Sequence, residues 1–491
     1  MHSATFSFTD EYNKLNPAQK KAVETTEGPV LVVAGPGTGK TQILAARIGN
    51  ILDKGLASSE NILCLTYTDA GVTAMRKRLI KFIGAEAYKV NIHTFHSFCN
   101  KVIQDNPEMF GFGEMEPITD IEEIELLEKL IDGLKKDNVL KRWRGDLYYD
   151  VKRLKGLFST MKRENFTADI IEKHVEEYIA SLPEKKEYIY QTTRKDGSYK
   201  KGDLKQKLID AEVKKYSSTI AAAKLFETYQ KLKQEANRYD YDDMILDVMQ
   251  AFQQNEWLLS RYQEQFQYFL VDEYQDTNGA QNEILRLLYS FWEKPNVFVV
   301  GDDDQSIYRF QGANLDNIVH FHQDTLAGLP IEEQKERVIV LKHNYRSTKE
   351  ILQLSAESIE HNEERLVHQL KKLELDKNLD ASGDVAQNNT IKPRLRIYPN
   401  PSHEIADVAN QIIELKAKGV DLHEIGVLYY QHKQAEELQQ CLNQKNIPVH
   451  TKKVINVLDE RLTNNLLDVF RYIVDESRIA HSREDLLFNI L

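Results

Sequence analysis

Short apolar runs alternate with longer amphipathic stretches along most of the chain. The runs are rich in Val, Ile and Leu and lie at residues 30–34, 62–68, 268–273, 297–302, 338–341 and 425–430. Runs of this kind predict buried strands. Because they alternate with helical stretches, they indicate an α/β protein with parallel sheets.

Residues 106–235 interrupt this pattern, because they are charged and have helical periodicity. Within them, Thr119 and Glu122 have the spacing of a capping box at the start of a helix. We therefore expect a helical insertion inside the first α/β domain. The predicted boundaries are 1–105 with 236–335 for the first α/β domain, 106–235 for the insertion, 336–455 for part of a second α/β domain, and 456–491 for the start of a second helical insertion.

Composition and charge narrow the class of protein. The chain has 491 residues, of which 41% are hydrophobic and 29% charged, as in ordinary globular proteins. Its three scattered cysteines suggest a reducing compartment, so we expect a cytoplasmic protein. No apolar run approaches the roughly 20 residues that cross a bilayer, so no membrane partner is expected. The net charge of −12 argues against a protein that coats nucleic acid, although residues 194–215 hold eight Lys or Arg against four Asp or Glu.

A glycine-rich turn follows the first predicted strand and leads into a helix, in 34-AGPGTGKTQILAARI-48. Such a turn lets successive backbone N–H groups and the helix N-terminus face a polyphosphate. Lys40 would reach the β and γ oxygens, and the Thr41 hydroxyl would ligate Mg²⁺. We therefore expect ATP and Mg²⁺ as cofactors. The predicted phosphate-binding residues are Gly35, Pro36, Gly37, Thr38, Gly39, Lys40 and Thr41.

Two adjacent acids end another predicted strand, in 268-YFLVDEYQDTN-278. The carboxyl ends of strands are where open α/β sheets bind their ligands. Asp272 would hold Mg²⁺ through water, and Glu273 would take a proton from an attacking water molecule. The pair therefore predicts hydrolysis of the nucleotide.

Four further segments carry a resemblance to a known family: 66-TYTDAGVTAMRKRL-79, 93-HTFHSFC-99, 301-GDDDQSIYRFQGAN-314 and 341-LKHNYRSTKEI-351. With the glycine-rich turn and the acid pair, they closely resemble the ordered motifs of UvrD/Rep-type superfamily 1 DNA helicases. The resemblance implies RecA-like P-loop NTPase domains with parallel sheets, plus a helical insertion domain.

The resemblance also implies roles for single residues. Gln19 is similar to the glutamine that reads the adenine edge, and Tyr345 to the tyrosine that stacks on adenine. Gln305 resembles the sensor of the γ-phosphate, and Arg346 the arginine that stabilises charge on the transferred phosphoryl group. The implied DNA contacts are aromatic platforms for stacked bases together with two polar groups, namely Tyr67, Tyr308, Phe310, Thr94 and His96.

The function implied by the resemblance is an ATP-hydrolysing helicase that moves 3′ to 5′ on single-stranded DNA. It would unwind duplexes at junctions of single and double strands, in DNA repair or recombination. The later motifs of the family have no counterpart in this sequence, so we expect the N-terminal portion of a longer helicase. One alternative is a nuclease-coupled recombination helicase of the RecB/AddA kind. Another, for this chain alone, is an ATP-gated DNA-binding module with little turnover.

Overall fold

The computed structural model describes residues 8–111, 115–141, 147–194, 198–307, 316–384, 392–451 and 461–478. The chain divides into two compact units, Met1–Pro393 and Arg394–Leu491. None of the helices within the described residues is long and apolar enough to cross a membrane.

Ten strands occur in the described residues, all of them in the first unit. They are β1 (Val30–Ala34), β2 (Ile62–Thr66), β3 (Asn91–Thr94), β4 (Glu116–Pro117), β5 (Arg238–Tyr239), β6 (Tyr268–Val271), β7 (Val297–Gly301), β8 (Val338–Leu341), β9 (His343–Asn344) and β10 (Asp380–Ala381). Six of them form a parallel sheet in the order β3-β2-β6-β7-β1-β8. The remaining strands form two short parallel pairs, β4 with β5 and β9 with β10.

Helices flank this sheet and build the rest of the first unit. They are α1 (Phe8–Asn13), α2 (Pro17–Glu24), α3 (Lys40–Asp53), α4 (Asp69–Ile83), α5 (Phe95–Asp105), α6 (Asp120–Asp132), α7 (Val151–Glu164), α8 (Ala168–Ser181), α9 (Gln206–Ala223), α10 (Phe226–Glu235), α11 (Tyr241–Gln254), α12 (Glu256–Gln265), α13 (Gly279–Tyr289), α14 (Asp316–Thr325), α15 (Ile331–Arg337), α16 (Lys349–Ile359) and α17 (Leu366–Gln369).

Both faces of the sheet are buried, as the continuous apolar runs predict. In β1, Val30 and Val32 pack into a core with α2, α3 and α4. Leu31 and Val33 point to the opposite core, which includes side chains of α5, α11, α12 and α13. The alternation follows from the two-residue period of a strand. The predicted α/β class with a parallel sheet is therefore confirmed.

The helical insertion is also confirmed, with a core of its own. Side chains of α6, α7, α9 and α10 pack together there, and the Phe158 and Tyr229 rings stack with their centroids 5.0 Å apart. Helix α6 begins with the predicted capping box, since Thr119 Oγ1 accepts from the Glu122 N–H at 3.3 Å.

The second unit is built from helices in the described residues. They are α18 (Pro401–Ala417), α19 (His432–Gln444) and α20 (Arg461–Arg478). Its core is small and contains Ala409, Ile412, Leu442 and Ile447.

Two predicted strands differ from the observed fold. The sequence predicts that 338–341 opens the second α/β domain, but β8 pairs with β1 at the edge of the first sheet. The run 425–430 forms no strand, and Leu428 and Tyr430 are 100% and 92% exposed. A strand exists only where a neighbour pairs its backbone. Among described residues 392–451, no segment pairs with this run.

Candidate active site

The turn after β1 has the conformation that phosphate binding requires. Gly37 and Gly39 have φ of 69° and 91°, in the left-handed region that favours glycine. Thr38 is fully buried, and its Oγ1 donates to the Gly35 carbonyl at 2.7 Å, which closes the turn. Gly39 is the N-cap of α3, so the helix N-terminus begins at Lys40. Its unpaired N–H groups and positive dipole end make this turn an anion site.

Three residues predicted for the nucleotide meet at this turn from distant parts of the chain. Gln19 Nε2 donates to the Thr38 carbonyl at 2.9 Å. The Tyr345 backbone N–H donates to the Gly37 carbonyl at 2.9 Å. A Cβ added to Gly37 would lie 2.6 Å from Arg346 Cβ, so only glycine lets Arg346 approach this closely. The structure therefore brings Gln19, Tyr345 and Arg346 together around the predicted phosphate site.

Asn344 secures the same turn, and sequence reasoning missed it. Its side chain is fully buried, and Nδ2 donates to the Pro36 carbonyl. Its Oδ1 accepts from the backbone N–H groups of Arg346 at 2.9 Å and Ser347 at 2.7 Å. Asn344 thus fixes the segment that carries Arg346 against the glycine-rich turn. The only signal in the sequence was its place directly before Tyr345.

The two predicted acids follow β6 at the same edge of the sheet. Asp272 is 7% exposed, and its Oδ1 accepts from the Glu273 N–H at 3.0 Å. Glu273 has φ 49° and ψ 47°, an uncommon conformation for a residue other than glycine. Its Oε2 pairs with Lys40 Nζ. Burial first, and then the negative charge of Glu273, raises the pKa of Asp272 to about 7.

The donor set around Lys40 suits a divalent cation. Lys40 contacts Glu273, and its positive charge also acts on the nearby carboxylates of Asp272 and Asp276. Burial raises the pKa of Asp276 to about 6, and its Oδ1 has no hydrogen-bond partner in the described part of the chain. Carboxylate and hydroxyl oxygens are the ligands that Mg²⁺ prefers, and Thr41 adds a hydroxyl in the first turn of α3. The residues present therefore fit the expected ion.

The turn after β7 carries Gln305 and a cluster of acids. Asp302, Asp303 and Asp304 have carboxylate oxygens within 4.8 Å of one another. Lys377 Nζ contacts all three, at 3.1 Å from Asp302 and 2.7 Å from Asp304, so the protein supplies its own cation there. Gln305 Nε2 donates to Asp302 Oδ2 at 2.6 Å. Gln305 also lines a cavity of about 950 Å³ together with the start of the glycine-rich turn.

Three of the predicted DNA contacts, Tyr67, Thr94 and His96, lie at or just after the carboxyl ends of β2 and β3. Tyr67 and His96 line one cavity of about 270 Å³, and Arg163 of the helical insertion lines it too. Burial lowers the pKa of His96, so near pH 7 the ring is a neutral hydrogen-bonding group. Thr94 is the N-cap of α5, where its Oγ1 accepts from the Ser97 N–H at 3.1 Å. The Thr94 hydroxyl therefore caps the N-terminus of α5.

Several neighbours of the predicted residues had no recognised signal in the sequence. Lys377 and Arg163 reach the site from segments in which the sequence predicts no site residue. Gln275 lies within the segment 268–278, where the sequence predicts roles only for Asp272 and Glu273. Tyr308 and Phe310, the other two predicted stacking residues, lie outside the described residues. Their roles stay predictions.

Comparison with known proteins places this architecture in a family. Residues 15–325 match the UvrD/REP helicase N-terminal domain, and residues 339–487 match the UvrD-like helicase C-terminal domain. The ATP-dependent DNA helicase PcrA of Staphylococcus epidermidis is 28% identical over 475 residues, which are 96% of this chain and 54% of that protein. PcrA of Staphylococcus aureus strain Mu50 is 28% identical over 474 residues, with 96% and 55% covered. The chain spans about half the length of these curated relatives, and it belongs to the UvrD/Rep helicase family.

Proposed function

We propose that this chain binds ATP with Mg²⁺ and hydrolyses it, and that hydrolysis drives movement 3′ to 5′ along single-stranded DNA. Unwinding at junctions of single and double strands, in DNA repair or recombination, is part of the proposal. The observation that carries it is the meeting of Lys40, Glu273 and Asp272 beside the glycine-rich turn. The free cysteines, two of them buried, agree with the proposed cytoplasmic location.

The Lys40 and Glu273 pair suggests how binding prepares hydrolysis. Lys40 Nζ contacts Glu273 Oε2, so it must turn away to reach the phosphates of a nucleotide. That movement leaves Glu273 able to accept a proton from the attacking water. Arg346, held against Gly37, would stabilise negative charge on the transferred phosphoryl oxygens.

Thr41 and Asp272 would hold Mg²⁺. A Mg²⁺ ion held there would neutralise charge on the phosphate oxygens. Gln19 and Tyr345 would hold the adenine, because an amide can donate and accept at its edge while a phenol ring stacks on its face. On the DNA side, Tyr67 would offer a ring for base stacking, which tolerates every sequence.

Steady-state ATPase measurements with and without single-stranded DNA test the proposal. We expect the wild-type chain to hydrolyse ATP and single-stranded DNA to raise its kcat. Lys40→Ala should lower the affinity for ATP and abolish turnover, because the phosphate oxygens lose their cation. Lys54→Ala is the matched control, since Lys54 is an exposed lysine just after the same helix and should leave both values unchanged. If Lys40→Ala bound ATP with unchanged affinity, the assignment of the phosphate site to this turn would be rejected.

Single-strand affinity tests the DNA part separately. Tyr67→Ala should weaken binding of a fluorescent oligonucleotide by about 5- to 150-fold, since base stacking contributes about 1–3 kcal/mol per base. Tyr88→Ala is the control, because Tyr88 is 68% exposed and follows α4. Equal affinities of the two variants would exclude Tyr67 as a stacking platform.

An ATP-gated DNA-binding module with little turnover is the second candidate function. All of the described residues that we place around the nucleotide site lie in the first unit, which supports nucleotide binding by that unit. The same ATPase assay separates the candidates. ATP binding without DNA-stimulated turnover by the wild-type chain would favour the module.

A further inference from the structure

Gln275 is a buried residue that the hydrolysis scheme above leaves without a role. It lies in the 3-10 turn Tyr274–Asp276 that follows the two acids, and its side chain is 1% exposed. A buried amide must find partners for both its oxygen and its nitrogen. The partners that Gln275 finds lie in the turns that follow two different strands, β6 and β7.

The amide nitrogen of Gln275 faces carboxylates. Its Nε2 donates to Glu273 Oε2 at 2.9 Å, and at 3.4 Å to Asp276 Oδ2. Glu273 Oε2 is the same oxygen that contacts Lys40 Nζ. An amide donor fixes the direction of the carboxylate oxygen that accepts from it. A base that takes a proton from water needs its oxygen held in a fixed direction.

The amide oxygen of Gln275 faces the next strand. Its Oε1 accepts from the Asp302 backbone N–H at 3.0 Å, directly after β7. Asp302 in turn accepts from Gln305 Nε2 through Oδ2 at 2.6 Å. A continuous line of hydrogen bonds therefore joins Glu273 to Gln305 through Gln275 and Asp302.

The backbone around Gln275 is shaped to admit this amide. A Cβ added to Gly301 would lie 2.9 Å from Gln275 Oε1 and 3.3 Å from its backbone nitrogen. An alanine at this position would force the Gln275 side chain away from Asp302. The absence of a side chain at Gly301 thus keeps the two turns in contact.

We propose that Gln275 is a positioning residue, which orients Glu273 toward the attacking water and ties it to the turn that carries Gln305. The inference rests on the proposed ATP hydrolysis and deepens it. Gln275 itself touches neither nucleotide nor water in this scheme. A change at Gln305, the proposed sensor of the γ-phosphate, would reach Glu273 through Asp302 and Gln275.

Gln275→Glu tests this role selectively. The new carboxylate still accepts from the Asp302 N–H, but it no longer donates to Glu273. We expect kcat for DNA-stimulated ATP hydrolysis to fall at least tenfold, while KM for ATP stays within threefold. A purely structural role would lower the melting temperature without separating kcat from KM in this way.

Gly301→Ala is the second variant, and it displaces Gln275 without changing its chemistry. It should lower kcat in the same direction as Gln275→Glu. Gln263→Glu is the matched control, because Gln263 is 6% exposed and its Nε2 donates to the Leu287 carbonyl at 2.8 Å. It should lower the melting temperature but leave kcat unchanged.

The outcomes separate the inference from the function on which it rests. A wild-type chain without turnover overturns the proposed hydrolysis, and the role of Gln275 with it. If the wild-type chain turns over ATP and Gln275→Glu has the same kcat, the role of Gln275 alone is overturned.

Discussion

At the scale of single residues, two side chains of the site, Glu273 and Asp272, lower the stability of the fold through their conformation and their burial. Glu273 adopts a left-handed conformation that side chains rarely take. Asp272 is buried next to it, with a pKa raised to about 7 by burial and by the charge of Glu273. Such groups persist because the surrounding sheet holds them in place.

The raised pKa of Asp272 predicts how stability depends on pH. The folded chain holds this proton up to about pH 7, whereas the unfolded chain loses it near the ordinary value of 3.8. The contribution of Asp272 to stability therefore falls as pH rises between these values. Asp272→Asn should raise the free energy of unfolding at pH 8 by roughly 1–3 kcal/mol without nucleotide, and by less at pH 5.

Thermal denaturation at the two pH values, without nucleotide, measures this difference. Asp272→Asn should also lose Mg²⁺-dependent ATP hydrolysis, because an amide is a poorer ligand for the ion. Asp53→Asn is the control, since Asp53 is exposed at the end of α3. A lower melting temperature for Asp272→Asn at pH 8 would contradict the prediction.

At the scale of elements, a buried network of ion pairs joins the helical insertion to the first α/β domain. Lys162 of α7 and Lys233 of α10 have side chains that are each 2% exposed. Both contact Asp240 and Asp243 at the start of α11, with Lys162 Nζ 2.9 Å from Asp243 Oδ1. Since α11 packs on the main sheet, this network anchors the insertion beside the site.

Removing one of the two lysine side chains from this network should lower the stability of the fold. Lys162→Met should lower the free energy of unfolding by about 3–5 kcal/mol, because it leaves buried carboxylates with a single partner. Lys155→Met is the matched control on the same helix. Lys155 is 39% exposed and pairs with Asp120 and Glu123, so its loss should cost about 0–1 kcal/mol. Urea denaturation followed by circular dichroism compares the two, and equal losses would refute the anchoring role.

At the scale of the whole molecule, the two units differ in how much core they contain. The first unit has two large clusters on the faces of its sheet and a third in the insertion. The second has the small cluster around Ile412 and Leu442. Because the described residues that we propose for nucleotide binding all lie in the first unit, a bound nucleotide should stabilise that unit.

Calorimetry with a non-hydrolysable ATP analogue and Mg²⁺ tests this expectation. At an analogue concentration about 100 times its Kd, the larger unfolding transition should gain about 2.7 kcal/mol. The Lys40→Ala chain should show no such gain at the same concentration. A shift confined to the smaller transition would place the nucleotide in the second unit.

The sequence by itself determined the buried strands, the helix starts and the site residues that lie within a few positions of them. Runs such as 30–34 and 268–271 became buried strands, because apolar period and length are local properties. The capping box at Thr119 and the glycine-rich turn before Lys40 were predictable for the same reason. Lys40, Asp272 and Glu273 could be assigned roles because each directly follows such an element.

Only the tertiary structure decided which distant segments meet. β8 belongs to the first sheet because its backbone pairs with that of β1. β1 lies about 300 residues earlier in the chain, so no local sequence pattern encodes this pairing. The run 425–430 has strand composition, yet no described neighbour pairs its backbone. Asn344, Lys377 and Gln275 became part of the site through hydrogen bonds that cross between turns. Such bonds depend on the fold as a whole. An exposed polar side chain can bond to water, whereas a buried one must bond to the protein groups that the fold places beside it.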